Sequence, residues 1–397
     1  MNKNNYDVIV LGAGSMGSAA CYWLAKRGHK VLGLEQFEIP HENGSHTGQS
    51  RIIRKAYFEH PDYVPLLQRA YYNWQQLEKQ TGTTLYFKTG LLYHGTASHE
   101  MMRGVREAAS LYDIEISDLS GQQRSGSSPF HIQPSFESIY EPGAGFIRPE
   151  KAIELYKNEA VKTGADMHTK EKVLEWKKEK DRIKVITDKN IYYTKKLIIT
   201  AGAWAGKMIP GLNASLKITR QIIVWVKPHD EKMFGPDNFP CWMVADDKRE
   251  GVLYGFPYLT KDKFGEPEGM KFAWHHTGDE TDPDHVNRNI TQKEIDDLIK
   301  QVTEYIPAVA DATLVAAKTC LYANSADENF IIDHLPGYDG DVTIACGFSG
   351  HGFKFVSVVG EILADLAMDG KTSLPVDFLS LKRFNRAMDS FQHRDTE

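Results

Sequence analysis

Cysteine is scarce in this chain: Cys21, Cys241, Cys320 and Cys346 are its four, widely scattered and with no CxxC among them. That excludes a zinc ribbon or a disulfide framework, both of which need clustered or regularly spaced cysteines. No metal site is expected. No run of eighteen or more apolar residues occurs, so nothing reads as a membrane span. The apolar run near the start is too short for a secretory leader, and a cytoplasmic protein is the expectation. A basic surplus is missing as well. The net charge of −6 argues against a nucleic-acid partner, whose binders carry a positive stripe. The stretch HTKEKVLEWKKEKDRIK, residues 168–184, is of mixed sign and is expected to be a solvated hairpin or strand edge. No internal repeat or low-complexity tract is evident.

What remains is an ordinary globular composition, 41% hydrophobic and 25% charged over 397 residues. That length exceeds one comfortable hydrophobic core, so two domains are expected. The clearest motif is at the start. YDVIVL (residues 6–11) is a short β-branched run of the kind that makes a buried parallel strand. It runs into GAGSMG, with Gly12, Gly14 and Gly17 in G-x-G-x-x-G spacing. A helical pattern follows, Gly28 stops it, and a second strand ends at Glu35. Gly12 permits the tight turn, Gly14 lets backbone approach a pyrophosphate, and Gly17 lets helix and strand pack closely. The phosphates would sit on the free N–H groups of the helix start. Glu35 lies 23 residues after Gly12, the right distance to accept hydrogen bonds from a ribose diol, and its charge disfavours NADP. The motif alone does not separate FAD from NAD.

Further along, residues 152–163 read as an amphipathic helix and residues 190–200 as a strand entering the small-residue turn AGAWAG. Residues 342–346 read as an apolar strand leading into GFSGHGFKF, and residues 356–368 as a second amphipathic helix. Between these lie stretches richer in strands and turns, residues 84–139 and 216–317. The expected fold is α/β, or α+β with two domains: a Rossmann-type nucleotide-binding domain with an inserted antiparallel-sheet substrate domain. Its discontinuous nucleotide domain takes residues 1–88, 146–215 and 325–397. The substrate domain takes residues 89–145 and 216–324.

Four separated motifs, GAGSMG, NGSHTGQSRIIRKAYFEHPDYVPL, CLYANSADENFIID and GFSGHGFKF, occur in an order that resembles the family of monomeric sarcosine oxidase and N-methyltryptophan oxidase. The resemblance runs from about residue 6 to about residue 385. It implies FAD, bound covalently through Cys320, and a monomeric flavin-dependent amine oxidase. A reduced cytosolic thiol suits that attachment, because the thiolate is a good nucleophile toward an electron-poor ring. The implied reaction is oxidative demethylation of a secondary N-methyl amino acid by O2, giving the amino acid, formaldehyde and H2O2. Related FAD oxidases or dehydrogenases of N-methyltryptophan, pipecolate, proline, glycine or glycated amines are the alternatives. A non-catalytic nucleotide-binding protein is the rival from another class.

The resemblance also distributes roles. Arg54 and Lys354 would grip the substrate carboxylate, a task for charge-assisted and bidentate contacts. Arg51 would lie close to the flavin. If SRIIRKAY is helical, Arg51 and Arg54 share one face. Lys271 would activate oxygen, since a fixed cation in a dry pocket stabilises superoxide. His275 would orient or tune the site, with His276 on the opposite face of a strand. Tyr254, Tyr322 and Met243 would border the substrate. Cofactor contacts would come from Gly12, Ala13, Gly14, Ser15, Met16, Gly17, Glu35, Ser45, Ser50, Arg51, Val173, Ala201, Gly202 and Trp204. Cys320, Gly347, Phe348, Gly350, Gly352 and Lys354 would complete them, the glycines of the last loop allowing close approach. Thr47 and Ser50 depart from the family's usual residues, the loop at residues 259–269 is longer, and Trp274 is bulky. Those departures are expected near the pocket mouth and the flavin edge.

Overall fold

The computed structural model describes residues 4–119, 129–209, 211–212 and 215–384. Part of the expected substrate-domain segment, residues 120–128, lies outside them. The first strand, Asn5–Leu11, is buried on both faces over its second half. It pairs in parallel with Val31–Leu34 on one side and Ile191–Ile199 on the other. Apolar side chains on both faces are what such a doubly covered strand requires. Asp166–His168 extends the sheet beyond Val31–Leu34, and Val342–Cys346 joins Ile191–Ile199 in parallel. The mixed-sign stretch forms the expected hairpin, Val173–Glu179 against Arg182–Thr187. With Ile331–His334 the sheet has eight strands.

Helices Ser15–Lys26, Pro149–Lys162 and Val356–Asp369 carry apolar faces into one core beside this sheet. The expected helices and strands therefore stand, with ends moved by at most a few residues. The crossing of the first and last of these helices depends on Gly360, where an added Cβ would come within 2.6 Å of Ala19.

A second sheet of nine strands is antiparallel except where Cys241–Ala245 runs parallel to Leu91–Thr96. Its longest pair, at one end of the sheet, is Leu216–Lys227 with Thr313–Ser325, and Gly269–His275 flanks the former. A third, small sheet joins Arg51–Ile53, Gly145–Ile147 and Tyr86–Phe87. The segment carrying Arg51 and Arg54 begins as a strand, so the helical case in which the two would share one face does not arise. Ile52 and Ile53 are β-branched and find a ladder on Phe146 and Gly145. Gly145 lets Tyr86–Phe87 close on the other side, since a Cβ there would sit 2.0 Å from the carbonyl oxygen of Phe87. Among the described residues no helix is long and apolar enough to cross a membrane, and no group of three His, Cys, Asp or Glu is placed to hold a metal.

Candidate active site

A cavity of about 450 Å³ opens at the carboxyl end of the first strand. Gly12 takes φ +86° there, and a Cβ on it would meet the carbonyl oxygen of Thr200 at 2.6 Å. Gly17 is tighter still: its Cβ would lie 2.1 Å from the carbonyl oxygen of Gly12. Helix Ser15–Lys26 therefore starts against the turn, and no side chain caps it. Its first N–H groups are left for an anion. Glu35 is buried beside the turn, accepts the backbone N–H of Phe37 at 3.1 Å, and is pushed by burial up to about 7. A carboxylate so desolvated gains from hydroxyl donors such as a ribose diol.

Fifteen of the expected cofactor residues line this one cavity: Gly12, Gly14, Ser15, Met16 and Glu35 at one end, then Ser45, Arg51, Val173, Ala201, Gly202 and Trp204, and finally Gly347, Phe348, Gly350 and Gly352. Ala13 and Gly17 support the turn from behind, and Ser50, Cys320 and Lys354 do not line the cavity. His46 does, and it was missed from sequence. It is buried, and its Nε2 has no hydrogen-bond partner within the chain. Only its place in the NGSHTG motif hinted at it. These features fit FAD: an anion-binding turn, a diol acceptor and glycines at both ends, with a buried histidine that carries an unpartnered nitrogen in the wall between.

At the wall, with Arg51 in it and Lys271 behind, lies a first cationic centre. Arg51 donates to the carbonyls of Ser50 at 2.8 Å, Ser45 at 2.9 Å and Thr47. Lys271, 1% exposed on strand Gly269–His275, donates to the carbonyls of Gly48 at 2.6 Å and of Ser50. Its ammonium also stands 4.0 Å over the Phe256 ring. Burial, then the charge of Arg51, holds its pKa well below the usual lysine range. Cys320 packs with Trp225, Ala273 and Tyr322. Burial pushes its thiol up, while Arg51 and Lys271 pull the other way.

A second centre surrounds Tyr57. Arg54 lies 4.3 Å and Lys354 5.1 Å from the centre of that ring. Arg54 is already engaged, with both oxygens of Glu59 at 2.6 and 2.7 Å. Burial works against its charge, but Glu59 overrides it and pushes the guanidinium up. Burial likewise opposes the Glu59 charge, yet Arg54, His351 and Lys354 hold that carboxyl down at about 2. Glu59 is a second group sequence reasoning missed. Lys354 donates to the carbonyl of His351 at 2.7 Å, and burial, then Arg54, lowers it to about 7.

The remaining expected residues gather at the end of the glycine loop. His275 Nδ1 is 3.2 Å from the Tyr322 hydroxyl, which also bonds Tyr254. Burial, above all, holds His275 down at about 4. A Cβ on Gly350 would meet the Tyr322 ring at 2.5 Å and His275 at 2.7 Å, so the loop backbone rests on both. Met243 is buried opposite Tyr254 in the register of their two strands. Beyond the strand His276 stacks on Trp274 at 4.0 Å, away from His275. The longer loop at residues 259–269 folds inward, burying Phe264 against Phe87 and Phe146.

Comparison with known proteins gives three concordant findings. The family model described as FAD dependent oxidoreductase matches residues 7–366. Monomeric sarcosine oxidase of Streptomyces avermitilis is 37% identical over 386 residues, covering 96% of this chain and 98% of its own. N-methyl-L-tryptophan oxidase of Yersinia pestis is 30% identical over 384 residues, covering 96% and 100%. Among solved structures, a variant of NikD, an unusual amino acid oxidase, in its open form has a TM-score of 0.83 at 21% identity, covering 95% of this chain and 97% of its own. That last likeness speaks to the fold alone.

Proposed function

The chain belongs to the FAD-dependent oxidoreductase family, in the branch of monomeric sarcosine oxidase and N-methyl-L-tryptophan oxidase, and from that premise we propose that it oxidises secondary N-methyl amino acids of the sarcosine class. The balanced reaction takes the N-methyl amino acid, O2 and water to the amino acid, formaldehyde and H2O2. FAD, when bound, supplies the two-electron acceptor for the amine and passes those electrons to O2.

The observation that carries this reading is a pair of buried cations, Arg54 and Lys354, over one tyrosine ring. Two cations held together in a dry site call for an anionic ligand. A substrate carboxylate would displace Glu59 from Arg54 and supply the missing anion to Lys354. His275, Tyr322 and Tyr254 would then wall the amine end and exclude water. Arg51 and Lys271 form a separate positive centre, suited to stabilising charge that develops on dioxygen. Cys320, packed in the neighbouring cluster with Arg51 and Lys271 charges acting on it, is the proposed point of covalent attachment of FAD. In this reading residues 1–88, 146–215 and 325–397 form the FAD domain, residues 89–145 and 216–324 form the substrate domain, and the enzyme works as a cytoplasmic monomer.

An anaerobic screen tests the assignment. Sarcosine, N-methylalanine, N-methyltryptophan, proline, pipecolate, glycine and a glycated amine are each mixed with the holoenzyme, and loss of flavin absorbance is followed. N-methyl amino acids are expected to react fastest, with equal formaldehyde and H2O2 on admitting air. Preference for proline, pipecolate or glycine would move the substrate to another branch. No bleaching by any amine would remove the catalytic reading.

A further inference from the structure

Lys271 sits where a lysine ought to lose its proton: it is buried, and Arg51 lies close. An ammonium in such a place needs an anion within Coulombic reach. The groups that act on it come from several elements: Arg51 from its short strand, Cys241 and Cys320 from two strands of the large sheet, and Glu150 from the start of helix Pro149–Lys162. Burial pushes up both thiols, which keeps them neutral. Glu150 is the carboxylate of the group.

Glu150 acts through an intervening piece of backbone, residues 48–50. Its Oε1 accepts the N–H of Gly48 at 2.8 Å and of Gln49 at 3.1 Å. On the carbonyl side of the same segment, Lys271 donates to Gly48 and Ser50. One peptide dipole, that of the Gly48–Gln49 bond, thus runs from carboxylate to ammonium, positive end toward the former and negative end toward the latter. The segment is a γ-turn: the Ser50 N–H returns to the Gly48 carbonyl at 2.7 Å, and Gln49 has φ +67°. A γ-turn with positive φ is rare and strained, and persists only where its surroundings over-determine it. Gln49 provides that restraint. Buried itself, it donates through Nε2 to the carbonyls of Gly265 at 2.8 Å and Pro267 at 3.0 Å, and accepts from the Trp225 indole at 3.3 Å.

We propose that Glu150, acting through a γ-turn pinned by Gln49, is a positioning residue that keeps Lys271 a charged ammonium. The role in oxygen reduction rests on the function proposed above for Lys271; the charge relay itself does not.

The test is a proton titration of Lys271 in the holoenzyme, read from the Cε resonance of ¹³C-labelled lysine and assigned by its disappearance in Lys271→Met. Glu150→Gln keeps an oxygen for the two N–H groups and removes the charge. It is expected to lower the titration midpoint by about one pH unit, a tenfold weaker hold on the proton. Gln49→Leu, which leaves the carboxylate and releases the turn, is expected to lower it in the same direction and serves if Glu150→Gln does not fold. In parallel, the pH at which reoxidation by O2 slows should fall with the midpoint, while anaerobic reduction by substrate keeps its pH profile. A midpoint unmoved in both variants overturns the proposal. Reoxidation in Lys271→Met at the wild-type rate would instead remove the oxygen role of Lys271, leaving the titration to judge Glu150.

Discussion

Raising the pH through 7 is expected to loosen the hold on a carboxylate ligand, with Lys354 responsible. Its amine is buried; burial, then Arg54, lowers it to about 7, with Glu59 opposing. The sign follows directly: a depressed lysine is charged below that value and neutral above it, and a ligand carboxylate binds the charged form. Neighbouring groups stay fixed across the window, because Glu59 is held down at about 2 and His275 at about 4. A hydrogen bond to a charged group contributes roughly 1.5–3 kcal/mol, or about 10- to 150-fold in affinity. Acetate is the suitable ligand, since it has no amine of its own to titrate near the window. Its inhibition constant should be flat below about pH 7, rise by up to about tenfold per unit above it, and level off where Arg54 alone holds the anion. Lys354→Met should bind weakly and without the bend; Lys354→Arg, charged throughout, should bind without the bend also. A bend that survives in Lys354→Met, or affinity that improves with pH, would refute the argument.

Other consequences are as direct. Glu59→Gln leaves Arg54 buried without its carboxylate, a loss of roughly 3–5 kcal/mol for a broken buried pair. Thermal unfolding should shift down and be restored by added acetate more strongly than in the wild type; an equal response to acetate would deny that the two carboxylates compete. Cys320→Ser should release its flavin on acid precipitation, and flavin retained in the pellet would place the link elsewhere. Gly17→Ala puts a Cβ 2.1 Å from the Gly12 carbonyl oxygen, overpacking of the kind that costs about 1–3 kcal/mol. Lower flavin content and a lower melting point are expected, and wild-type values for both would mean that the turn yields.

The nucleotide end was legible because its signals are local and periodic. A strand buried on both faces, glycines fixed by positive φ or close approach, and an acid at a set distance all leave marks in adjacent residues. The strand at residues 342–346 and the helix after it were legible for the same reason. What stayed hidden depends on long-range partners. Nothing near SRIIRKAY announces that Gly145–Ile147 will pair with it, so the local sequence admits a helix there. Glu59 reads as one more charged residue in a loop until Arg54 folds onto it. Gln49 and Glu150 are separated by about a hundred residues and meet through backbone N–H groups, which carry no residue identity at all.

The same segment keeps two positive centres with different partners. On a helix, Arg51 and Arg54 would face the same way with their Cβ atoms about 5–6 Å apart. At about 6 Å two such charges repel by roughly 3 kcal/mol for an effective dielectric near 20. The strand ends at Ile53, so Arg54 lies just beyond it, and the two guanidiniums go to different partners. Their partners then differ in kind. Arg51 is satisfied by three carbonyl oxygens, neutral dipoles that complete its hydrogen bonds without cancelling its charge. Its field still reaches outward, adding to the burial that lowers Lys271 and His46 and opposing the burial that raises Cys320. Arg54 faces a full carboxylate, so its charge is offset until another anion takes that place. One guanidinium is thus a permanent positive pole at the cavity wall, and the other becomes available only on exchange of its partner. That difference follows from what the two guanidiniums touch, and the number of cations in the segment does not predict it.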